Sequence, residues 1–381
     1  MSRTVVCVVG TRPEAVKLAP VIHRLRRPES ELICRVIATG QHQGLLDRAL
    51  ADFELSADRD LDLMKPGQSL AELTGRALVA LSECLAVERP DLVLAVGDTT
   101  TVLATALACH YERIAFGHME AGLRTGEPYR PFPEEKNREL AARLAAVHFA
   151  PTLTARDNLI REGIDPESIH LTGNTVIDAL EKFSHSGTRL SFNPPGERFV
   201  LVTAHRRENW GEPMRQVAAA LRDLVDRDQT LGLVIPAHPN PEVRTPLTRA
   251  LGNHPRVLLI EPLAYPDFVA AMAACAVILT DSGGVQEEGP ALGKPVVVLR
   301  PETERPEALD HASCLVGTDR RKIVETVEAY LHKNFVADRP SGVSPYGDGR
   351  AAERIVRVIA KRLGTNPGSP EETPPPWPPG N

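Results

Sequence analysis

Short apolar runs, each followed by a turn of Gly, Thr, Pro or charged residues, recur along the first half of the chain. They are Val5–Val9, Leu32–Thr39, Leu92–Val96, Ile114–Gly117 and Val147–Ala150, with a weaker run at Ile169–Gly173. Runs that stay apolar without alternating are typical of strands buried on both faces of a parallel sheet. Helix-compatible segments such as Val102–Cys109 separate them. This repeated pattern predicts an α/β fold with a doubly wound parallel sheet.

The second half of the chain repeats the pattern. Strands are predicted at Phe199–Thr203, Leu233–Pro236, Val257–Ile260, Ala276–Leu279, Pro295–Leu299 and Cys314–Val316, and the last helices at Thr318–Leu331 and Gly349–Leu363. A chain of 381 residues exceeds the roughly 250–300 residues that a single core usually supports. A stretch rich in Ser, Gly and Pro, from 183 to 197, marks the boundary. We therefore predict two Rossmann-like domains, 1–180 and 181–365, with the last helix packing back on the first domain. A disordered Pro-rich tail is expected over 366–381.

The turn Ser282-Gly283-Gly284 follows a predicted strand and precedes a predicted helix. Two glycines there leave backbone N–H groups accessible at the positive end of the helix, and phosphate is the natural ligand for such groups. Pro290 removes a hydrogen bond from this helix, which is therefore expected to be short or kinked. By itself the turn is equally compatible with a purely structural function.

The composition of the chain argues against several classes of binding partner and of structural site. The net charge is −6 and no long run of Lys or Arg occurs, which argues against general binding of nucleic acid or of anionic membranes. Six cysteines are scattered singly, so neither a zinc site nor a disulfide framework is predicted. No stretch approaches the ~20 apolar residues of a membrane span, and the first apolar run is interpreted as a strand rather than a signal peptide. A cytoplasmic protein is expected.

Two segments resemble nucleotide-binding loops but lack the required context. Gly347–Ala352 matches G-x-G-x-x-A, yet it follows a loop rich in Pro, Ser and Gly instead of a strand. Gly289–Pro295 is too short for a P-loop and has Pro where Ser or Thr is needed. We therefore expect neither a dinucleotide cofactor nor a nucleoside triphosphatase.

Polar residues lie at the ends of several predicted strands, where open α/β sheets bind ligands. The candidates are Arg12, Asp98, Glu120 and His205. Each has a simpler interpretation: Asp98 can cap a helix, Glu120 can lie in a surface turn, and His205 in a solvated turn. Structural functions are expected for His118, His238, Glu135, Arg206 and Arg207. Taken together, carboxylates and a histidine facing an anion site suit acid/base chemistry on a phosphorylated substrate.

A set of motifs occurs in order along the chain. It comprises Gly10–Lys17, Gly97–Thr101, Gly117–Gly126, Pro133–Glu135, Thr172–Asp178, His205–Glu208, Asp281–Glu288 and Glu304–Glu307. Over all but its tail, the chain resembles the non-hydrolysing UDP-N-acetylglucosamine 2-epimerases. The resemblance implies a fold like the GT-B glycosyltransferases, with the active site in the cleft between two Rossmann-like domains. It also implies interconversion of UDP-GlcNAc and UDP-ManNAc by a homodimer that supplies cell-surface polysaccharide synthesis.

The resemblance extends to individual positions. It implies catalytic functions for Asp98, Glu120, Glu134 and His205, and contacts to UDP and sugar from Arg12, Lys17, Phe268, Ser282, Gly283, Gly284, Glu288 and Arg305. Leu263 stands at a uracil-contacting position that is often occupied by another residue type, and a backbone contact would survive this change. Gln41 and His42 match residues associated with allosteric activation by UDP-GlcNAc. Gly44 and Gly67, however, stand where regulated relatives have Gln and Arg, and the lost Arg is a strong phosphate ligand, which puts allosteric activation in doubt.

The chemistry accounts for these residue types. The C2 proton of the sugar is not adjacent to a carbonyl, so it cannot simply be removed and replaced. Elimination of UDP across C1–C2 gives a 2-acetamidoglucal, and UDP adds back after protonation of the opposite face. This route needs acid/base groups near C2 and cationic or N–H groups around UDP, but no metal. We expect Asp98 and Glu120 nearest C2, Glu134 in support, and His205 assisting the pyrophosphate.

Other functions compete with this one. Within the family, the substrate can be a modified sugar such as a UDP-diacetamido-uronic acid, or the enzyme can hydrolyse its substrate to free ManNAc. A GT-B glycosyltransferase would share the Gly-Gly turn, but it would leave Asp98, Glu120 and Glu134 together unexplained. A UDP-sugar sensor without catalytic activity would need Arg12 but not the carboxylates.

Overall fold

The computed structural model describes residues 3–40, 44–65, 67–184, 189–309, 312–332, 344–366 and 374–378. The chain divides into two compact units. The first comprises Met1–Ala179 and Pro345–Asn381, and the second comprises Leu180–Ser344. Within the described residues, no helix combines the length and the apolar character needed to cross a membrane.

The first unit is built on a parallel sheet. Its strands are β1 (Arg3–Val9), β2 (Leu32–Ala38), β3 (Arg59–Asp60), β4 (Leu92–Val96), β5 (Phe116–Met119), β6 (Val147–Ala150) and β7 (Ile169–Leu171), in the order β3-β2-β1-β4-β5-β6-β7. Its helices include α1 (Arg12–Leu25), α2 (Leu45–Asp52), α3 (Leu70–Glu88), α4 (Thr100–Glu112), α5 (Glu134–Leu144), α6 (Leu153–Arg161) and α7 (Thr175–Ser184). Helix α7 runs on into the second unit.

The second unit has its own parallel sheet. The strands are β8 (Arg198–Thr203), β9 (Leu231–Pro236), β10 (Val257–Ile260), β11 (Val277–Thr280), β12 (Val296–Val298) and β13 (Ser313–Leu315), in the order β10-β9-β8-β11-β12-β13. The helices are α8 (Glu212–Arg227), α9 (Pro241–Leu251), α10 (Tyr265–Ala274), α11 (Val285–Ala291) and α12 (Arg320–His332). The prediction of two parallel, doubly wound sheets is confirmed.

Each sheet lies in its own apolar core. Central strands such as β4 and β11 are buried along their whole length. Helix faces cover them: α3 and α4 contribute to the core of the first unit, and α8 and α12 to that of the second. Burial on both faces explains why these strands are continuous apolar runs in the sequence.

Most predicted strands agree with the structure to within one or two residues. The strand predicted at Ile114–Gly117 lies two residues later, at Phe116–Met119. The prediction of a short helix after the Gly-Gly turn is confirmed, because α11 has seven residues and ends just after Pro290. Strand β3 was not predicted, since its two residues, Arg59 and Asp60, are exposed and form no apolar run.

The C-terminal part of the chain returns to the first unit. Helix α13 (Ala351–Leu363) packs against α1, and its first N–H groups donate to the carboxylate of Asp178. Gly347 lies against Ile177, where a Cβ atom would approach the Ile side chain to 3.3 Å. This contact gives the glycine a packing function in the loop that resembles a dinucleotide motif.

Residues 374–378 of the tail differ from the expectation of disorder. Trp377 is 6% exposed, and its indole N–H donates to the carbonyl of Pro151 at 3.0 Å. The Arg354 guanidinium lies 5.6 Å from the centre of the indole ring. A single large aromatic side chain thus supplies a contact that the Pro-rich composition around it did not indicate.

Candidate functional site

In the first unit, Glu120 lies buried at the end of β5. The Nζ atom of Lys17 donates to both of its carboxylate oxygens at 2.7 Å, and the side-chain amide of Asn174 donates to one of them at 2.5 Å. Glu120 also has a positive φ of 58°, which is uncommon for a residue with a side chain. A strained backbone and two donors from distant elements hold this carboxylate in one position, so the interpretation of Glu120 as a surface turn is wrong.

Asp98 lies just after β4, and two side chains of α5 contact it. The Arg138 guanidinium forms a short ion pair with its carboxylate, and the Asn137 side chain donates to its backbone carbonyl at 2.9 Å. Thr99, not Asp98, caps α4, because the Thr99 hydroxyl accepts from the N–H of Val102. The side chain of Asp98 remains 28% exposed, so it is paired but accessible.

Glu135 anchors the loop that leads into α5. It is fully buried, and one oxygen accepts from the backbone N–H groups of Thr125 and Gly126 at 3.0 and 2.9 Å. Its other oxygen lies 3.2 Å from Arg138. Glu135 therefore has a structural function, as the sequence suggested. Its neighbour Glu134 is half-buried at the first position of α5.

Glu14 connects two of the turns in this region. One carboxylate oxygen accepts from the N–H groups of Gly10 and Thr11, at 2.5 and 2.9 Å. The other accepts from the Thr99 hydroxyl at 2.5 Å. Burial raises the pKa of Glu14 to about 7, although these three donors act in the opposite direction.

His118 is fully buried beneath the same turns. Its Nε2 atom lies 2.8 Å from the carbonyl of Gly97, so Nε2 carries the proton and donates it. Burial lowers the pKa of His118 to about 4. The imidazole is therefore neutral at ordinary pH and supports the turn that carries Asp98.

In the second unit, Asp281 organises the turn that carries His205. This carboxylate is fully buried and accepts from the backbone N–H groups of His205 and Arg206, each at 2.9 Å. The Asn209 side chain donates to it at 3.0 Å. The ring nitrogen Nδ1 of His205 lies 3.2 Å from Asp281, while 42% of the His205 side chain is exposed. A proton on Nδ1 leaves Nε2 available to a ligand.

The imidazole of His205 has a lowered pKa. Desolvation of the ring is the main cause, the positive charge of Arg206 adds to it, and the carboxylate of Asp281 acts in the opposite direction. His238 stacks on the ring with the two centroids 6.3 Å apart. His205 is thus tied to a buried carboxylate, and the interpretation as a simple solvated turn is wrong.

The Gly-Gly turn lies between β11 and α11, as predicted. A Cβ atom on Gly283 would lie 2.6 Å from the Arg305 guanidinium. Arg305 is itself buried, and its Nε atom donates to Glu287 at 2.5 Å while another nitrogen pairs with Glu304. Glu288 is also buried, and it accepts from the Tyr265 hydroxyl at 2.7 Å. The turn and these charged side chains form one packed cluster.

Three further predicted site residues lie on these elements or in their connections. Arg12 begins α1, Leu263 lies in the connection from β10 to α10, and Phe268 is half-buried in α10. The positions proposed for allosteric contacts, Gln41 and His42, lie outside the described residues.

Sequence reasoning missed the residues that hold the candidates in place. Asn174, Arg138, Asp281, Tyr265 and Glu14 were not identified as site residues. Asn174 and Asp281 lie inside the motifs that carry the family resemblance, and their polar side chains directly after predicted strands were a signal that could have identified them. The pairing of Lys17 with Glu120, by contrast, joins residues 103 positions apart, and no local pattern indicates it.

Several known proteins with similar sequences or structures are UDP-N-acetylglucosamine 2-epimerases. A family model described as UDP-N-acetylglucosamine 2-epimerase matches residues 24–360. The UDP-N-acetylglucosamine 2-epimerase of Escherichia coli K12 is 46% identical over 368 residues, which cover 93% of this chain and 98% of that protein.

Solved structures agree with this similarity. The Staphylococcus aureus MnaA–UDP co-structure has a TM-score of 0.91 at 41% identity, covering 97% of this chain and 99% of that one. The UDP-GlcNAc 2-epimerase of Neisseria meningitidis bound to UDP-GlcNAc has a TM-score of 0.87 at 42% identity, covering 94% and 100%.

Proposed function

This chain belongs to the UDP-N-acetylglucosamine 2-epimerase family, and we propose that it interconverts UDP-GlcNAc and UDP-ManNAc by eliminating UDP and adding it back. Loss of the C2 proton and of UDP from C1 creates the double bond of a 2-acetamidoglucal. The reverse addition then delivers a proton to the other face of C2 while a UDP oxygen bonds to C1. The reaction needs no external oxidant, because atoms and electrons balance within substrate and protein.

The arrangement around Glu120 carries this proposal. A buried carboxylate at the end of a strand, fixed by Lys17 and Asn174, is costly to maintain unless its position matters. Asp98 is a second oriented carboxylate, paired with Arg138 and partly accessible. We assign proton transfer at C2 to Glu120 and Asp98, with Glu134 in support.

The second unit offers groups that suit UDP. The N–H groups of the Ser282–Gly284 turn can take the diphosphate, and Arg305 adds positive charge that Glu287 and Glu304 hold in place. Glu288, oriented by the Tyr265 hydroxyl, suits the ribose hydroxyls. Leu263 and Phe268 are assigned to the nucleoside. We also assign Arg12 and Lys17 to the substrate, and His205 to the pyrophosphate as UDP leaves.

From the family we also propose a homodimeric assembly, a cytoplasmic location and a supply of UDP-ManNAc to polysaccharide synthesis. No conversion of UDP-GlcNAc in the assay below would indicate a modified UDP-sugar as the substrate.

The assay incubates the purified protein with UDP-GlcNAc, without added NAD or metal, and separates the products by chromatography. We expect UDP-ManNAc at a constant total of UDP-sugar. Labelling the oxygen between C1 and the β-phosphorus with ¹⁸O adds a test of the route, because elimination lets the label exchange with the other β-phosphate oxygens. Retention of the label in the bridge throughout epimerisation would contradict elimination.

Variants of the carboxylates in the first unit test whether these residues act in the chemical step and not in UDP binding. Asp98→Asn and Glu120→Gln are expected to lower kcat by about 10²- to 10⁴-fold, the usual contribution of an acid/base group, while UDP binding stays close to that of the wild type. Glu139→Gln on α5 is the matched control, because Glu139 forms a solvent-exposed ion pair with Lys136 on the surface of the helix. Equal kcat for Glu120→Gln and Glu139→Gln would contradict the assignment.

A further inference from the structure

We propose that Glu14 is a positioning residue that fixes the Asp98 turn relative to the Arg12 turn through Thr99; this inference rests on the proposed function. In the hydrogen bonds described here, Glu14 contacts neither the Asp98 side chain nor the Arg12 side chain. It acts through the backbone of one turn and the hydroxyl of the other.

The hydrogen bonds of Glu14 run to two separate strand ends. Oε2 accepts from Gly10 and Thr11, in the turn after β1. Oε1 accepts from Thr99, which is 85 positions away and follows Asp98 directly. Glu14 as a whole is 3% exposed, so solvent offers little competition for these bonds.

Helix capping alone does not account for this burial. Helix α3 has the same type of N-terminal box, in which Glu72 accepts from the N–H of Ser69 at 2.7 Å. Glu72 is exposed, and its hydrogen bonds within the described part of the chain stay in its own turn. A cap can therefore be made without burying a carboxylate, which is costly. What Glu14 adds is the bond to a second element.

The surrounding packing makes this bond a rigid connection. A Cβ atom on Gly10 would lie 2.2 Å from the Thr101 hydroxyl and 2.8 Å from that of Thr39. The Thr39 and Thr101 hydroxyls are themselves hydrogen-bonded at 3.1 Å. The backbone of Gly10 therefore packs directly against the Thr39 and Thr101 side chains, and we expect a change at Glu14 to shift the two turns relative to each other.

Loss of this connection should lower the rate of the chemical step more than it weakens substrate binding. Asp98 lies next to Thr99, and a displacement of about 1 Å in a reacting group can cost about 100-fold in rate. We expect Thr99→Val and Glu14→Ala to lower kcat by about 10- to 100-fold, with KM changed less than kcat. Thr99→Ser keeps the hydroxyl and should retain most of the wild-type kcat.

Two control variants remove helix-capping interactions of the same kind elsewhere in the first unit. Glu72→Gln weakens a capping box whose hydrogen bonds, among the described residues, stay within one turn. Thr152→Val removes the N-cap of α6, where the Thr152 hydroxyl accepts from the N–H of Ala155 at 3.2 Å. Both are expected to keep the wild-type kcat. The double variant Glu14→Ala/Thr99→Val should lose no more than the worse single variant, because both changes break one connection.

Hydrogen–deuterium exchange on the same proteins gives a readout that does not depend on the substrate. Amides of residues 97–101 should exchange faster in Glu14→Ala and in Thr99→Val than in the wild type or the controls. An inactive wild type with this exchange pattern would refute the proposed epimerase function but not the connection. An active wild type with unchanged kcat in Thr99→Val, or losses that multiply in the double variant, would overturn the positioning function.

Discussion

Two buried side chains near the candidate carboxylates have protonation states that are set mainly by burial. Glu14 has its pKa raised to about 7 and His118 has its pKa lowered to about 4. Both support turns that carry candidate residues, through Gly10, Thr99 and Gly97. The sequence indicates that these residues are polar, but only the packed structure gives their burial and so their charge.

Glu14 should add to the free energy of unfolding of the wild type by an amount that decreases as pH rises. The native carboxyl group, with a pKa of about 7 against 4.5 unfolded, binds more protons than the unfolded one between these values. Stability is therefore lost through this window, by up to ~3 kcal/mol. Glu14→Gln should lack this decrease in denaturant unfolding at pH 5 and pH 8. A variant that follows the wild type at both pH values would contradict the raised pKa.

His118 should act in the opposite sense. Its native pKa of about 4 lies below the unfolded value of 6.5, so the unfolded chain binds more protons and stability is lost as pH falls through 6.5 toward 4. His118→Asn can still offer an N–H to Gly97 but does not titrate. From pH 7 to pH 4 the wild type should lose up to ~3 kcal/mol more free energy of unfolding than His118→Asn does. A constant difference would argue against a buried neutral imidazole.

At the level of elements, turns after parallel strands determine where the polar groups lie. Apolar runs made the buried strands predictable, and the Gly-Gly turn before α11 was predictable from its glycines. The contacts between turns were not, because they join residues that are distant in sequence, as Lys17 and Glu120 are. Periodicity describes one element at a time, whereas the candidate site is formed by several.

The Gly283 turn offers a direct test at this level. In Gly283→Ala the new methyl group would meet Arg305 at 2.6 Å, and Arg305 cannot easily move because Glu287 and Glu304 hold it. We expect a stability loss of about 1–3 kcal/mol and UDP affinity lower by about tenfold or more in calorimetry.

The matched control for this change is Gly75→Ala. Gly75 lies in α3, a Cβ atom there meets nothing within 4 Å, and alanine is favoured in helices. Wild-type UDP affinity in Gly283→Ala would show that the turn has room for a side chain and would count against diphosphate binding there.

At the scale of the whole molecule, the chain leaves the first unit within α7 and returns to it for α13 and the described part of the tail. Repetition of the strand pattern was enough to predict two α/β halves. The return of residues 374–378 was not predicted, because its main anchor is one side chain, Trp377, in a stretch whose composition otherwise favours disorder.

Removal of the residues after 366 should destabilise the first unit. Burial of a large aromatic side chain is worth about 2–3 kcal/mol, and Arg354 would lose its contact with the ring. Deletion and Trp377→Ala should therefore lower the Tm by similar amounts. Trp210 is the other of two tryptophans, so Trp210→Phe leaves Trp377 as the reporter. Its fluorescence should be that of a buried indole; a solvent-exposed spectrum with an unchanged Tm after deletion would refute the contact.

The most direct test of the central claim is proton NMR of the protein with UDP-GlcNAc in deuterated water, without added cofactor. Proton transfer at C2 through the carboxylates predicts UDP-ManNAc that carries deuterium at C2, and loss of this signal in Asp98→Asn or Glu120→Gln. UDP-ManNAc that keeps its original C2 proton would contradict acid/base chemistry by these residues. An unchanged spectrum from a folded protein that binds UDP would contradict UDP-GlcNAc as the substrate.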